Sequence, residues 1–142
     1  MEVEDTTKIK IFLWYLKKGV ILTKDNLLKR KWKGSSSCCF CTKEESIQHL
    51  FFECHVAKTV WNAVFFAFGI KQPTNIANML GSWLRGFSLN LRKHIFGRSN
   101  LRKHILVEAT TMCWAIWKTR NDAALNRSFP NSYLQVIFRE TY

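Results

Sequence analysis

The chain has 142 residues, 47% of them apolar and 14% aromatic, with two prolines and six glycines. That composition excludes a disordered tail and disfavours a turn-rich β fold. Against 10 acidic residues stand 22 lysines and arginines, a formal charge of +12 that attracts polyanions, nucleic acid first among them.

The elements follow in order. Residues 1–7 are polar and read as a frayed end. Lys8 to Lys18 is a dense apolar run that predicts a helix on Ile9, Phe12, Leu13 and Leu16, with Ile11 and Trp14 alongside, stopped by Gly19. It is apolar on more than one side, so it is either well buried or docked on something else. Thr23 is placed to cap a second helix, Lys24 to about Lys31, with Leu27 and Leu28 turned inward. Gly34-Ser35-Ser36-Ser37 is a loop, and Thr42 with Glu45 has the spacing of a capping box for a short helix through Ile47, Leu50 and Phe51.

Val56, Val60, Trp61, Val64, Phe65 and Phe68 form one stripe of a further helix closed by Gly69. Pro73 and Thr74 open another, with Ile76, Met79, Leu80, Trp83 and Leu84 at helical spacing and Gly86 as its stop. The last long helix carries Ile105, Ala109, Met112, Cys113, Ile116 and Trp117 on one face and ends near Asn126. A short helix from Ser132 is expected beyond Pro130. Asn90-Leu91-Arg92-Lys93-His94-Ile95 recurs as Asn100-Leu101-Arg102-Lys103-His104-Ile105. That offset leaves the copies about 80° out of phase on a straight helix, so they read as a local tandem duplication with a break around Gly97, Arg98 and Ser99.

No apolar run approaches the ~18–20 residues of a membrane span. The start, Met1-Glu2-Val3-Glu4-Asp5, is acidic where a secretory signal is basic. An intracellular protein, nuclear or cytoplasmic and not secreted, is therefore expected. Its cysteines stay reduced there, and metal ligation is a better reading than disulfides.

Four of the five cysteines fall between residues 38 and 54, in a charged, loop-rich stretch. Cys38 and Cys41 have two residues between them, a spacing that lets one tight turn aim both thiolates at a metal. With His49 and Cys54 they complete a closed Cys₃His site for one structural zinc ion. Cys39 competes with Cys38, and His55 with Cys54. A spacing of five turns His49 and Cys54 about 140° apart on an α-helix, so the helix bearing His49 must end before Cys54. Cys54 then lies at or near the start of the next helix, where its thiolate gains from the helix dipole. Cys113 lies on the apolar stripe and reads as core.

Cys38-x₂-Cys41-x₇-His49-Leu50-Phe51-x₂-Cys54-x₂-Ala57-x₃-Trp61 resembles the reverse-transcriptase zinc-binding domain of plant non-LTR (LINE-type) retrotransposon polyproteins. Lys8-Ile9-Lys10-Ile11-Phe12-Leu13-Trp14 and Leu22-Thr23-x₃-Leu27 add to it, so the resemblance covers roughly residues 8 to 66. Trp114-Ala115-Ile116-Trp117-Lys118-x-Arg120-Asn121 is similar to the helical segment that often precedes a ribonuclease H domain in such polyproteins. His55 stands where the family often has proline. With the duplicated block, this points to a fragment of a larger element. The resemblance implies zinc binding and an accessory role in nucleic-acid handling. It brings no polymerase chemistry, since no Tyr-x-Asp-Asp motif occurs and Asp5, Asp25 and Asp122 are dispersed.

The expectation is a mainly α protein. A small helical domain, residues 8–68, is organised around one Cys₃His zinc knuckle, and a helical C-terminal region, 69–142, follows it. Its function is read as that of a non-catalytic, zinc-binding accessory module that contacts RNA or DNA and takes no small-molecule substrate. Lys17, Lys18, Lys29, Arg30, Lys31 and Lys33 are one set of candidate phosphate contacts, and Arg92, Lys93, Arg102 and Lys103 a second. Trp32 either stacks on a base or packs in the core, the core being favoured. The alternatives are a protein-interaction module that packs on a reverse-transcriptase polymerase domain, and a relic without present function.

Overall fold

A computed structural model describes residues 3–66, 69–85 and 98–125, and among these described residues are five α-helices and one π-helical turn. The first copy of the duplicated block, with Arg92 and Lys93, lies outside the described residues, as do Gly86 and the expected helix from Ser132.

Helix α1 spans Val3–Lys18, so it begins within the segment expected to fray. Gly19, at φ +68°, ends the helix with its N–H on the Leu16 carbonyl at 3.1 Å. The helix has two apolar faces, as its sequence suggests. Ile9, Phe12 and Leu16 are buried, whereas Ile11, Trp14 and Tyr15 are 52%, 57% and 45% exposed.

Helix α2, Lys24–Lys29, is shorter than expected and buries none of its residues. Leu27 is half-buried and Leu28 exposed, against the expectation that both turn inward. Polar bonds hold this helix instead, from Asn26 Nδ2 to the carbonyls of Gly19 at 3.0 Å and Ile21 at 2.8 Å. Lys31 then turns the chain through the left-handed region at φ 66°. Trp32 is not core, being 41% exposed. Its indole covers Gly34, where a Cβ would come within 1.8 Å of the ring.

Thr42 caps nothing in the way expected, because the chain from Cys41 to Glu44 makes bends rather than a helical turn. The helical turn starts later, on Ser46, whose Oγ accepts the His49 N–H at 3.1 Å and whose carbonyl accepts the Leu50 N–H at 2.8 Å. The π-helical turn His49–Glu53 follows, then α3, His55–Phe65. Helix α4, Ile76–Leu80, is a single capped turn, with Asn75 Oδ1 accepting the Asn78 N–H at 2.7 Å. It stops at Gly81, and Trp83 and Leu84 follow it in turns rather than in helix. Helix α5, Arg98–Ala124, is about 40 Å long.

One core joins these elements. Phe12 meets Phe51 of the π turn and Trp114 of α5, edge-on, at ring centroid distances of 6.1 and 5.2 Å. Trp61 stacks on Phe65 at 5.5 Å, and Trp83 stands edge-on against both. The Trp61 indole N–H donates to the Phe51 carbonyl at 2.7 Å, which ties α3 to the π turn. The stripe expected on α5 holds, with Ile105, Ala109, Met112, Cys113 and Ile116 buried. The described residues contain no strand, only an isolated antiparallel bridge between Ser37 and Glu44.

Candidate metal centre

Three short pieces of backbone bring the cysteines and His49 together. The first is the loop closed by the Ser37–Glu44 bridge, where the Cys38 N–H reaches the Lys43 carbonyl at 2.8 Å and the Glu45 N–H reaches Ser36 at 2.9 Å. Cys38 and Cys41 lie within it. The second is the π turn. Its Cys54 N–H donates to the His49 carbonyl at 2.7 Å, a bond that spans five residues. The spacing that splays two side chains on an α-helix closes one turn here. The third is the start of α3. Cys54 has left the helical conformation (φ −59°, ψ 142°) and occupies the N-cap position of α3. The expected break between the histidine's helix and Cys54 is thus present, and the π turn is the device behind it.

The ligand atoms of Cys38, Cys41, His49 and Cys54 all lie within 4.8 Å of one another. Cys41 Sγ and His49 Nε2 are 3.1 Å apart. Tetrahedral zinc with bonds of about 2.0–2.3 Å sets its ligand atoms roughly 3.3–3.8 Å apart, so the donors are near a closed shell. Cys38, His49 and Cys54 are buried and Cys41 half-buried. Geometry also separates the competitors. Cys39 is not part of the group, and the His55 ring is exposed with its Nδ1 4.0 Å from Cys54 Sγ.

The electrostatics suit a cation. The Phe40 N–H points at Cys38 Sγ at 3.5 Å, and backbone donation from Val56 favours the Cys54 thiolate. The interaction with Cys54, together with burial, raises the Cys38 thiol far above its usual value, and the same interaction lowers that of Cys54 against the effect of burial. Burial holds His49 below its ordinary value of 6.5, which keeps the imidazole neutral and its nitrogen able to bind metal. A histidine depressed in the folded state contributes stability above its unfolded value and loses it as pH falls. Metal affinity falls in the same direction, because protons compete for the ligands. Metal retention measured after dialysis across a pH series should therefore hold above pH 6.5 and decline below it. A zinc affinity that did not weaken as pH falls would contradict ligation by thiolates and an imidazole.

A polar feature beside the cluster was not foreseen. Glu45, between Cys41 and His49, is buried and receives Arg120 of α5. Arg120 Nε donates to its two oxygens at 3.1 and 3.2 Å, and Nη2 to Oε1 at 2.5 Å. Side-chain exposures are 7% for Arg120 and 0% for Glu45. Glu45 Oε1 also accepts the Lys24 N–H at 2.9 Å, at the start of α2. Thr23 holds the N-cap position there, but its hydroxyl donates to Asp25 instead of capping. The capping carboxylate thus exists, on a different helix from the expected one. Arg120 carried a signal, since it continues the Ile116 and Trp117 stripe at helical spacing, and a cation on a buried face needs a partner.

The described basic candidates, Lys17, Lys18, Lys29, Arg30, Lys31, Lys33, Arg102 and Lys103, are all exposed. Cys113 is fully buried, as expected, and burial pushes its thiol up to about 12.

Helices packed against a largely buried Cys₃His group define the class, a small, mainly helical domain with a candidate metal centre. Residues 2–61 match the family described as zinc-binding in reverse transcriptase, from the start of α1 to Trp61 of α3. No curated protein and no solved structure matches the chain. Among the described residues no helix is long and apolar enough to cross a membrane.

Proposed function

We propose that the chain is a non-catalytic accessory module of a plant LINE-type reverse transcriptase, in which Cys38, Cys41, His49 and Cys54 bind one structural zinc ion. The observation that carries this reading is the convergence of four good ligands within the segment that matches the zinc-binding family. Four protein donors fill a tetrahedral shell and leave no position for water, so the ion's work is to hold helices together. It joins the 38–41 loop, the π turn and the N-terminus of α3.

In this reading the module works inside the cell and binds RNA or DNA through phosphate contacts. Lys29, Arg30, Lys31 and Lys33 lie exposed at the end of α2 and just after it, with Lys17 and Lys18 at the end of α1 and Arg102 and Lys103 on α5, and the sequence adds Arg92 and Lys93 in the first copy of the repeat. A salt titration of binding to a single-stranded oligonucleotide tests it. The log of affinity should fall linearly with log salt, by about 0.7 per phosphate neutralised. Replacing Lys29, Arg30 and Lys31 by alanine should flatten that slope by about 2. Affinity indifferent to salt would contradict phosphate contact. A second role, packing on a protein such as the polymerase domain, is favoured by the exposed Ile11, Trp14 and Tyr15.

A further inference from the structure

Lys29, Arg30, Lys31 and Lys33 flank Trp32, and all five residues are exposed. Helix α2 ends here in a Schellman turn. The Lys31 N–H donates to the Leu28 carbonyl at 3.0 Å and the Trp32 N–H to the Leu27 carbonyl at 3.1 Å. That turn needs a residue in the left-handed region, which Lys31 occupies at φ 66°. Glycine fills such a position with least strain, so lysine there gives up backbone ease for a cation. Beyond the turn Trp32 lays its indole over Gly34, and a Cβ added there would meet the ring. The chain then enters the metal loop, where the Ser37 N–H donates to Ser35 Oγ at 3.2 Å and Lys24 Nζ donates to the Ser37 carbonyl. Trp32 is thus held from both ends, yet it stays 41% exposed.

Cations near a helix C-terminus are favoured by its dipole, which accounts for Lys29 and Arg30. The dipole does not account for an exposed indole among them, or for lysine in the left-handed position. A nucleic-acid single strand uses both, since a base stacks on a flat ring and its phosphates meet the charges. A double helix keeps its base faces inside and has no use for the ring. Several other rings are already engaged. Trp14 meets Tyr15 edge-on at 5.2 Å and has Lys18 Nζ 5.9 Å from its ring centroid. Trp114 and Trp117 lie 5.2 and 6.3 Å from Phe12 and carry Lys118 and Arg120 at 5.8 and 5.0 Å. With Tyr15 and Arg30 these two indoles line a cleft beside α1, which is the competing seat for a strand.

We propose that Trp32 is a stacking platform for one base of single-stranded RNA or DNA, with Arg30, Lys31 and Lys33 on the phosphates to either side. This rests on the nucleic-acid reading of the module and adds where and how the strand is held.

The test titrates the zinc-loaded full chain with oligothymidylate and oligouridylate of about 12 nucleotides. Trp32→Ala should weaken binding of both about tenfold, and Trp32→Phe should keep most of the affinity. The salt slope should stay unchanged in both variants, because the ring neutralises no phosphate. Lys31→Gly should lower that slope by about 0.7 with zinc content kept and thermal stability no lower, since glycine suits the left-handed turn. Affinity for a duplex should not depend on Trp32. An oligonucleotide carrying 5-iodouracil, irradiated with the unsubstituted chain, should crosslink at Trp32 in a mass-spectrometric peptide map, a readout that needs no variant to fold. Salt-dependent binding that ignores Trp32→Ala, or crosslinks at Tyr15, Trp114 or Trp117 instead, would overturn the platform and leave the nucleic-acid reading standing. Binding of neither oligonucleotide would overturn both. A polyglutamate peptide that depends on Trp32 as strongly as oligothymidylate does would assign the loop to an acidic protein and overturn the platform.

Discussion

Stripping zinc from the loaded protein with a chelator should abolish its cooperative thermal transition and most of its tertiary signal. The ligands come from three pieces of chain, the loop of Cys38 and Cys41, the π turn at His49 and the α3 cap at Cys54. Structural zinc supplies an apparent ~10–16 kcal/mol in small metal domains at neutral pH. A domain's whole stability is only about 5–15 kcal/mol. Loss of the ion therefore removes an amount comparable to the total. The effect should spread, because Leu50, Phe51 and Phe52 of the π turn are core residues and Phe51 holds Trp61. Cys54→Ser should behave like the chelated protein. Thermal unfolding followed by near- and far-ultraviolet circular dichroism, with and without chelator, measures this. An unchanged transition after complete metal removal would show that the core holds alone.

The second large effect lies at Glu45. Removing one partner of a buried pair leaves the other charged, desolvated and unpaired, at a cost of about 3–5 kcal/mol. Arg120 is 7% and Glu45 0% exposed, so water does little to relieve either. Glu45→Ala should cost the most, because the Lys24 N–H also loses its acceptor and α2 loses its anchor. Arg120→Ala should cost nearly as much. Replacing both by methionine should recover much of the loss, since apolar residues of similar volume often substitute for buried ion pairs. Urea titrations at saturating zinc would show this as strong coupling between the two positions. Additive losses below about 1 kcal/mol each would mean the pair is not the clasp between the metal loop and α5.

The sequence made the ligand set and the stripe on α5 legible, for a physical reason in each case. Metal ligation demands particular atoms at short spacing, and Cys38, Cys41, His49 and Cys54 show both. A long packed helix must repeat its apolar residues, and Ile105 to Trp117 do so. The π turn was hidden, because one backbone bond from Cys54 to His49 chooses it over an α-helical end. Hydrophobicity turns Leu27 and Leu28 inward and favours the core over base stacking for Trp32. The chain instead holds α2 by Asn26 and Glu45, which leaves Leu27 half-buried and Leu28 exposed. Glu45 and Arg120 are 75 residues apart, and nothing local links them. The core that contains Phe12 and Phe51 also contains Met112 and Ile116, so α5 completes the structure around the segment that matches the family.

Metal analysis of the purified chain tests the central claim most directly. The account expects about one zinc per chain in a non-chelating buffer, near zero for Cys38→Ser and Cys54→Ser, and no change for Cys39→Ser. Less than about half a zinc per chain, or full occupancy in the two ligand variants, would contradict it.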